Sequence, residues 1–357
     1  KIRHSMKQLL IILCLCGCFW SAFAQKTPKR FVSIQQKIQT WVDSGHYDGA
    51  SIVVFQNNRV LYKQYFGTYR PETVVYIASA GKWLAAATIA TLVDEGKLHW
   101  DDKVKHWLPN FSDAKGEATL AQLLSHTAGY PDYQPEGNPI DITQDLPTSI
   151  AHILPLPADT LAGTKFKYGG LSMQVAGRIA ELASGKSWEE LFQEKIARPL
   201  EMTQTHFVPV DSAGGHAPML GGGARSTLQD YSHFLAMIFN KGVFKGKRIL
   251  SENTIAFMQS DQIKRAKVQA GEFVERARGR KGTDIYGLGE WREEVNAQGE
   301  VTLISSPSWA GAYPWIDKNN GVYGFFLTHV TGFKKGFSPF YTSHQLALDV
   351  RKALSQK

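Results

Sequence analysis

Ser79 and Lys82 stand three residues apart at the head of an apolar stretch. Its hydrophobic positions Trp83, Leu84, Ala87, Ala90 and Val93 keep helical spacing until Gly96 stops it. The spacing puts the lysine one turn beyond the serine on the same helix face, within reach of its hydroxyl. Desolvation in an apolar helix favours the neutral amine, and a neutral lysine is a base. A serine at a helix N-terminus is also surrounded by backbone N–H groups, which suit the oxyanion formed when a hydroxyl attacks a carbonyl. Acylation of a serine needs a base and such donors. The pattern recurs at Ser112 and Lys115, in a polar loop after Pro109, where it reads as a solvated turn.

Two further stretches supply what the serine lacks. Tyr168-Gly169-Gly170 precedes an apolar helix, and Trp309-Ala310-Gly311 opens a late strand. A phenol beside a lysine can share the base role, because an ammonium stabilises a phenolate and the phenolate holds the lysine. A glycine in the late strand lets a substrate carbonyl approach the backbone.

The elements that must position these residues follow from periodicity. Phe31 to Trp41 reads as an amphipathic helix, and Ala50–Phe55 with Val60–Phe66 as two strands around the turn Gln56-Asn57-Asn58. Helical texture runs through 120–126, 150–153, 171–183 closed by Gly185, 188–196, 228–239 and 251–258, with a sharp loop at Gly221-Gly222-Gly223. Strands return at 285–292, 301–305, 310–316 and 321–330, the last pair joined at Asn319-Asn320-Gly321 with Asp317 as a turn cap, and a helix closes the chain at 346–354. This order predicts an α+β fold: one antiparallel sheet built from both chain ends, about 31–75 and 225–357, with a helical lobe inserted over about 76–224. The cleft between lobes is the expected site.

Composition is that of a globular chain: 357 residues, 43% hydrophobic and 20% charged. Lys1, Arg3 and Lys7, the apolar run Leu9–Trp20 and Ser21-Ala22-Phe23-Ala24 read as a secretory leader over 1–24, cut before Gln25. The apolar run is too short to span a bilayer. Cys14, Cys16 and Cys18 all lie in the leader, so the exported chain would hold together without disulfides; lipidation at Cys18 is the weaker alternative. Loss of the three basic leader residues takes the net charge from +8 to +5, with charges interspersed, which argues against a nucleic-acid partner. The basic stretch 262–283 reads as a solvated surface excursion. No zinc helix, dinucleotide fingerprint or phosphate loop is present, His126 reads as a structural hydrogen-bonding residue, and no metal or organic cofactor is expected. Oligomeric state leaves no mark in the sequence.

Ser79-x-x-Lys82, Tyr168-x-x and x-x-Gly311, in this order, resemble the class C β-lactamase superfamily of serine hydrolases (β-lactamase and penicillin-binding-protein-like). That superfamily also holds DD-peptidases, D-aminopeptidases and family VIII carboxylesterases. Leu123 to Gly129, Arg198-Pro199-Leu200 and Tyr286-Gly287-Leu288-Gly289 extend the resemblance over nearly all of 31–354. It implies Ser79 as nucleophile, Lys82 and Tyr168 as shared base, and the backbone N–H groups of Ser79 and Ala312 as oxyanion hole. Gly170, Trp309, Ala310 and Gly311 would then line the substrate. Two residues depart from the lactamase pattern: Gly170 stands where an asparagine is usual, and Trp309 where a lysine is, the latter being similar to the family VIII esterases. Each substrate polar group left unpaired costs about 1–3 kcal/mol, so neutral esters lose least. The expected activity is cleavage of small acyl esters. Alternatives are action on β-lactams or D-Ala peptides of the cell wall, and a non-catalytic binding protein on the same fold.

Overall fold

A computed structural model describes residues 27–133, 145–207, 220–269, 274, 284–330 and 337–356. The leader and the basic residues Arg276, Arg278, Arg280 and Lys281 lie outside them.

The scaffold is a six-stranded antiparallel sheet that both chain ends supply. After helix α1 (Val32–Asp43) come β1 (Gly49–Gln56) and β2 (Arg59–Gly67). Their two-residue turn puts Asn57 and Asn58 at φ 48° and 64°, the mirror-image turn whose twist matches a hairpin. The short β3 (Val75–Tyr76) leads into helix α2 (Gly81–Asp94). Helix α3 (Leu171–Ser184) ends on Gly185 at φ +70°, a left-handed cap that needs no Cβ. Next come β4 (Ala224–Ser226) and α4 (Leu228–Phe239), whose first turn is capped by the Thr227 side chain. Strands β5 (Trp291–Val295), β6 (Val301–Ser305), β7 (Tyr313–Asp317) and β8 (Val322–Thr328) precede the closing helix α5 (Pro339–Ser355).

The sheet order is β5-β6-β7-β8-β1-β2. Strand β8 lies between β7 and β1, with Phe325 paired to Val53 and Phe326 to Tyr313. All seven of its residues are buried, as a central strand covered on both faces requires. On one face Phe31, from the turn that leads into α1, joins Ile34 and Ile38 of α1 and Leu346 and Val350 of α5 in packing against Ile52, Val54 and Phe326. On the other lie α2 and α4, with Tyr231 stacked on Phe325 at 4.4 Å between centroids. Helix α2 is buried on every side from Gly81 to Leu92, hence apolar all round rather than amphipathic.

Three local expectations need correction. Ile285 to Glu290 is not strand: only a Tyr286–Trp291 bridge precedes β5, because these apolar residues bury themselves around one another instead of joining a ladder. Ala310 and Gly311 belong to a turn before β7, with Gly311 at φ +108°. Lys115 is not in a solvated turn; it is 1% exposed and its ammonium bonds the Asp113 carboxylate at 2.6 Å and the carbonyls of Leu154 and Leu156. A buried cation with a full set of acceptors is a structural clasp. Asp317 does cap its turn, accepting from the Asn320 backbone N–H at 3.2 Å. Among the described residues no helix is long and apolar enough to cross a membrane.

Candidate functional site

Ser79 sits in a single 3-10 turn, Ala78–Ala80, that feeds α2. Ala78 is held at φ +47°, an unfavourable conformation for a residue with a Cβ, so its neighbours must over-determine it. They do. Ile77 N–H donates to the Ala224 carbonyl at 2.9 Å, Tyr231 hydroxyl to the Ala80 carbonyl at 2.7 Å, and Ser306 hydroxyl to the Ser79 carbonyl at 3.2 Å. The nucleophile turn is thus pinned from β4, from α4 and from the loop after β6.

Lys82 is 1% exposed, and its Nζ donates to Ser79 Oγ at 3.1 Å and to the Gly221 carbonyl at 2.5 Å. Burial without a carboxylate partner pulls its pKa down to about 7. The Lys82 amine also lies 4.6 Å from the centre of the Tyr168 ring. Ser79 Oγ and the Tyr168 ring, both expected beside Lys82 from sequence, lie against its amine. A neutral amine at this distance can take the hydroxyl proton, leaving an alkoxide able to add to a carbonyl.

Several residues of the crevice were not singled out from sequence. A Cβ on Gly221 would fall 3.1 Å from Gly170 Cα and 3.5 Å from Lys82 Nζ, so the glycine loop closes directly over the amine. Its contribution is a carbonyl, which no side-chain pattern announces. The Tyr168 ring is enclosed by His126 at 4.7 Å and Trp291 at 5.1 Å. His126 Nε2 pairs with Tyr286 hydroxyl at 3.3 Å, and burial, reinforced by Lys82, keeps the imidazole neutral. It is the structural residue expected, placed against the site.

The Trp309–Gly311 turn follows Ser306, which bonds the Ser79 carbonyl, and its Ala310 packs in one apolar cluster with Ala78. Ser308 N–H donates to the Ala312 carbonyl at 2.8 Å, and Ala312 is fully buried. A Cβ on Gly311 would meet Thr328 Cγ2 at 2.7 Å and the Tyr47 hydroxyl at 3.0 Å, so close packing as well as φ demands glycine. Gly170, by contrast, has room for a Cβ; it faces the Tyr133 ring at 3.6 Å. Among the described residues no group of three or more potential metal ligands converges.

Behind α2 lies Glu290, fully buried, with neither carboxylate oxygen in hydrogen-bonding geometry with a donor among the described residues. Burial drives its carboxyl well above the usual range, opposed by Lys318, Arg292 and the facing Trp83 indole. A carboxyl whose pKa rises on folding binds its proton more tightly in the folded state. The stability it confers is full below the ordinary carboxylate pKa and drains away as pH climbs toward the folded value. Glu290→Gln should therefore gain stability over the parent as pH rises and flatten the dependence; melting curves between about pH 5 and about pH 9 test this. Parallel slopes for the two proteins would refute it.

A model of the family described as Beta-lactamase matches residues 34–345. In structure the chain is similar to a "putative beta-lactamase from Bacteroides dorei DSM 17855", with a TM-score of 0.87 and 51% identity over 91% of this chain and 99% of that one. A family VIII carboxylesterase aligns with a TM-score of 0.69 over 91% of this chain and 98% of its own, at 18% identity, a likeness of fold alone. A "Putative D-alanyl-D-alanine carboxypeptidase" of Escherichia coli (strain K12) is 27% identical over 246 residues, 57% of this chain and 56% of the relative. The chain thus spans about half the length of the curated relatives it matches. With a match that runs from α1 into α5 and takes in the whole crevice, the chain belongs to the β-lactamase family of serine hydrolases.

Proposed function

We propose that the protein is an exported serine hydrolase that cleaves small acyl esters through an acyl-Ser79 intermediate. The observation that carries this reading is the 3.1 Å contact between Ser79 Oγ and a lysine amine that burial holds near neutrality. In the proposed sequence, Lys82 accepts the hydroxyl proton as Oγ bonds to the ester carbon, with Tyr168 sharing the proton. The backbone N–H groups of Ser79 and Ala312 receive the charge on the carbonyl oxygen. Collapse of the tetrahedral adduct expels the alcohol, which takes up the proton. Water then repeats the sequence on the acyl-serine, releasing the acid and restoring the hydroxyl.

Esters are favoured over lactams and D-Ala peptides because position 170 carries no side chain and Trp309 no charge, so an amide group and a carboxylate would both lose a partner there. The second reading, action on cell-wall peptides or β-lactams, draws on the names of the relatives. Export rests on the leader-like residues 1–24.

Three measurements test this together: the mass of the Ser79 peptide after a fluorophosphonate, turnover of nitrophenyl butyrate, and turnover of a chromogenic cephalosporin. We expect a covalent adduct on Ser79 and faster ester than cephalosporin turnover. Equal or faster cephalosporin turnover would replace the ester reading with the second one. Neither adduct nor turnover would make the chain a binding protein.

A further inference from the structure

The Tyr168 ring packs on Trp291 and Tyr286, as an aromatic cluster would have it, and also on an imidazole. That imidazole, His126, is held at a cost. It is 3% exposed, and its Nδ1 has no hydrogen-bond partner among the described residues, an arrangement that an apolar ring would avoid. Its backbone stands at φ +58°, a conformation uncommon for any residue other than glycine. Both features serve one end. In that conformation the His126 carbonyl accepts the Lys167 N–H at 2.9 Å, one residue before Tyr168, while the ring lies 4.7 Å from the Tyr168 ring at 57° to it. The tyrosine is thus gripped twice, through the backbone at position 167 and through its ring. The bond from Nε2 to the Tyr286 hydroxyl at 3.3 Å fixes the imidazole in turn.

The grip matters for what lies on the other side of the tyrosine. Lys82 is buried while Tyr168 is half-buried, and the amine stands 4.6 Å from the ring centre, so the ring lies between the amine and water. The other neighbours of the amine are Ser79 Oγ and the Gly221 carbonyl, neither of which carries a charge. Dryness alone therefore keeps the amine a base, for burial is what lowers its pKa. Gly221 contributes main chain, and Ser79 sits in the turn that feeds the same helix. Tyr168 is the wall that can swing.

We propose that His126 is a positioning residue for the reaction at Ser79: it holds the Tyr168 ring against Lys82 and so keeps water from the amine that takes the proton. This deepens the hydrolase reading and rests on the base role given there to Lys82. The ionisable groups that face the imidazole are Lys82, Tyr168 and Tyr286, and it stays neutral among them, so its action is steric rather than electrostatic.

The test follows the amine itself, without turnover. Protein carrying lysine labelled with carbon-13 beside the amine is titrated by NMR, the Lys82 signal being the one that Lys82→Met removes. The parent should titrate at about 7. His126→Asn removes the ring but keeps a residue type that tolerates positive φ, and should raise the midpoint by about one pH unit or more as water reaches the amine. Tyr286→Phe takes away only the hydroxyl that fixes the imidazole, and should raise the midpoint by less. With nitrophenyl butyrate the acid limb of kcat/KM should move with the midpoint, so that His126→Asn loses about tenfold at pH 6. An unchanged midpoint in His126→Asn, whatever its melting temperature, would leave the residue purely structural and overturn the proposal; should that variant not fold, Tyr286→Phe decides by the same criterion. A parent midpoint in the ordinary lysine range would overturn it as well. A midpoint that moves in a protein with no Ser79-dependent hydrolysis would sink the ester reading and leave the hold of His126 on Tyr168 and Lys82 standing.

Discussion

Lys82→Met should lower kcat/KM for a nitrophenyl ester by about a thousandfold, the loss expected when a positioned base is removed. The replacement keeps the stem and removes the nitrogen, so Oγ at 3.1 Å loses its proton acceptor and the Gly221 carbonyl its donor. The parent enzyme should carry the same amine in its pH profile. Only the unprotonated amine can take a proton, so kcat/KM should fall as pH drops through about 7, the value to which burial lowers Lys82. In Lys82→Met the residual rate should lack that limb. A loss under tenfold, or a limb unchanged in the variant, would assign the base to another group, Tyr168 first.

Trp83→Ala should lower stability by about 3–5 kcal/mol, the range for emptying a buried aromatic site. The melting temperature would fall by about 4–7 °C for a chain of this size. Trp83 is fully buried, meets Phe234 edge-on at 5.7 Å, and presents its indole to Glu290. Its removal would leave a void beside an unpartnered carboxyl, in the turn of helix next to Lys82. Calorimetric melting checks this, and a change below about 1 kcal/mol would mean that the site collapses around the void.

The two readings of this helix were not equally legible beforehand. Ser79 and Lys82 are three residues apart, and helix geometry alone brings them together, so their pairing could be read directly. Tyr168 and the Trp309 turn could be placed only by resemblance, because nothing local in either stretch points at Ser79. The hairpin at Asn57-Asn58 and the Gly185 cap were legible through the φ values that those residue types tolerate. Gly221 escaped because its contribution is a backbone carbonyl. Ile285 and Tyr286 misled because burial around an aromatic cluster produces the same apolar run as a strand. Lys115 misled because the acceptors that bury it, Leu154 and Leu156 among them, come from a segment some forty residues away. Glu290 carried no signal at all: an acidic residue after Tyr286-Gly287-Leu288-Gly289 looks like surface until its neighbours are known.

The strand order has a consequence for biogenesis. Strand β1 finds its inner neighbour in β8, so Ala50 waits for Thr328, and that ladder cannot close until nearly the whole polypeptide has been made. A chain that ends before Val322 would hold a hairpin whose inner edge, paired in the full sheet, is left naked, the kind of surface that pairs with other chains. Long-range pairing of this sort also slows folding. Chains truncated ahead of β8 should therefore aggregate, and a chaperone that shields an unpaired strand should raise the yield of the intact protein more than one that acts on helices.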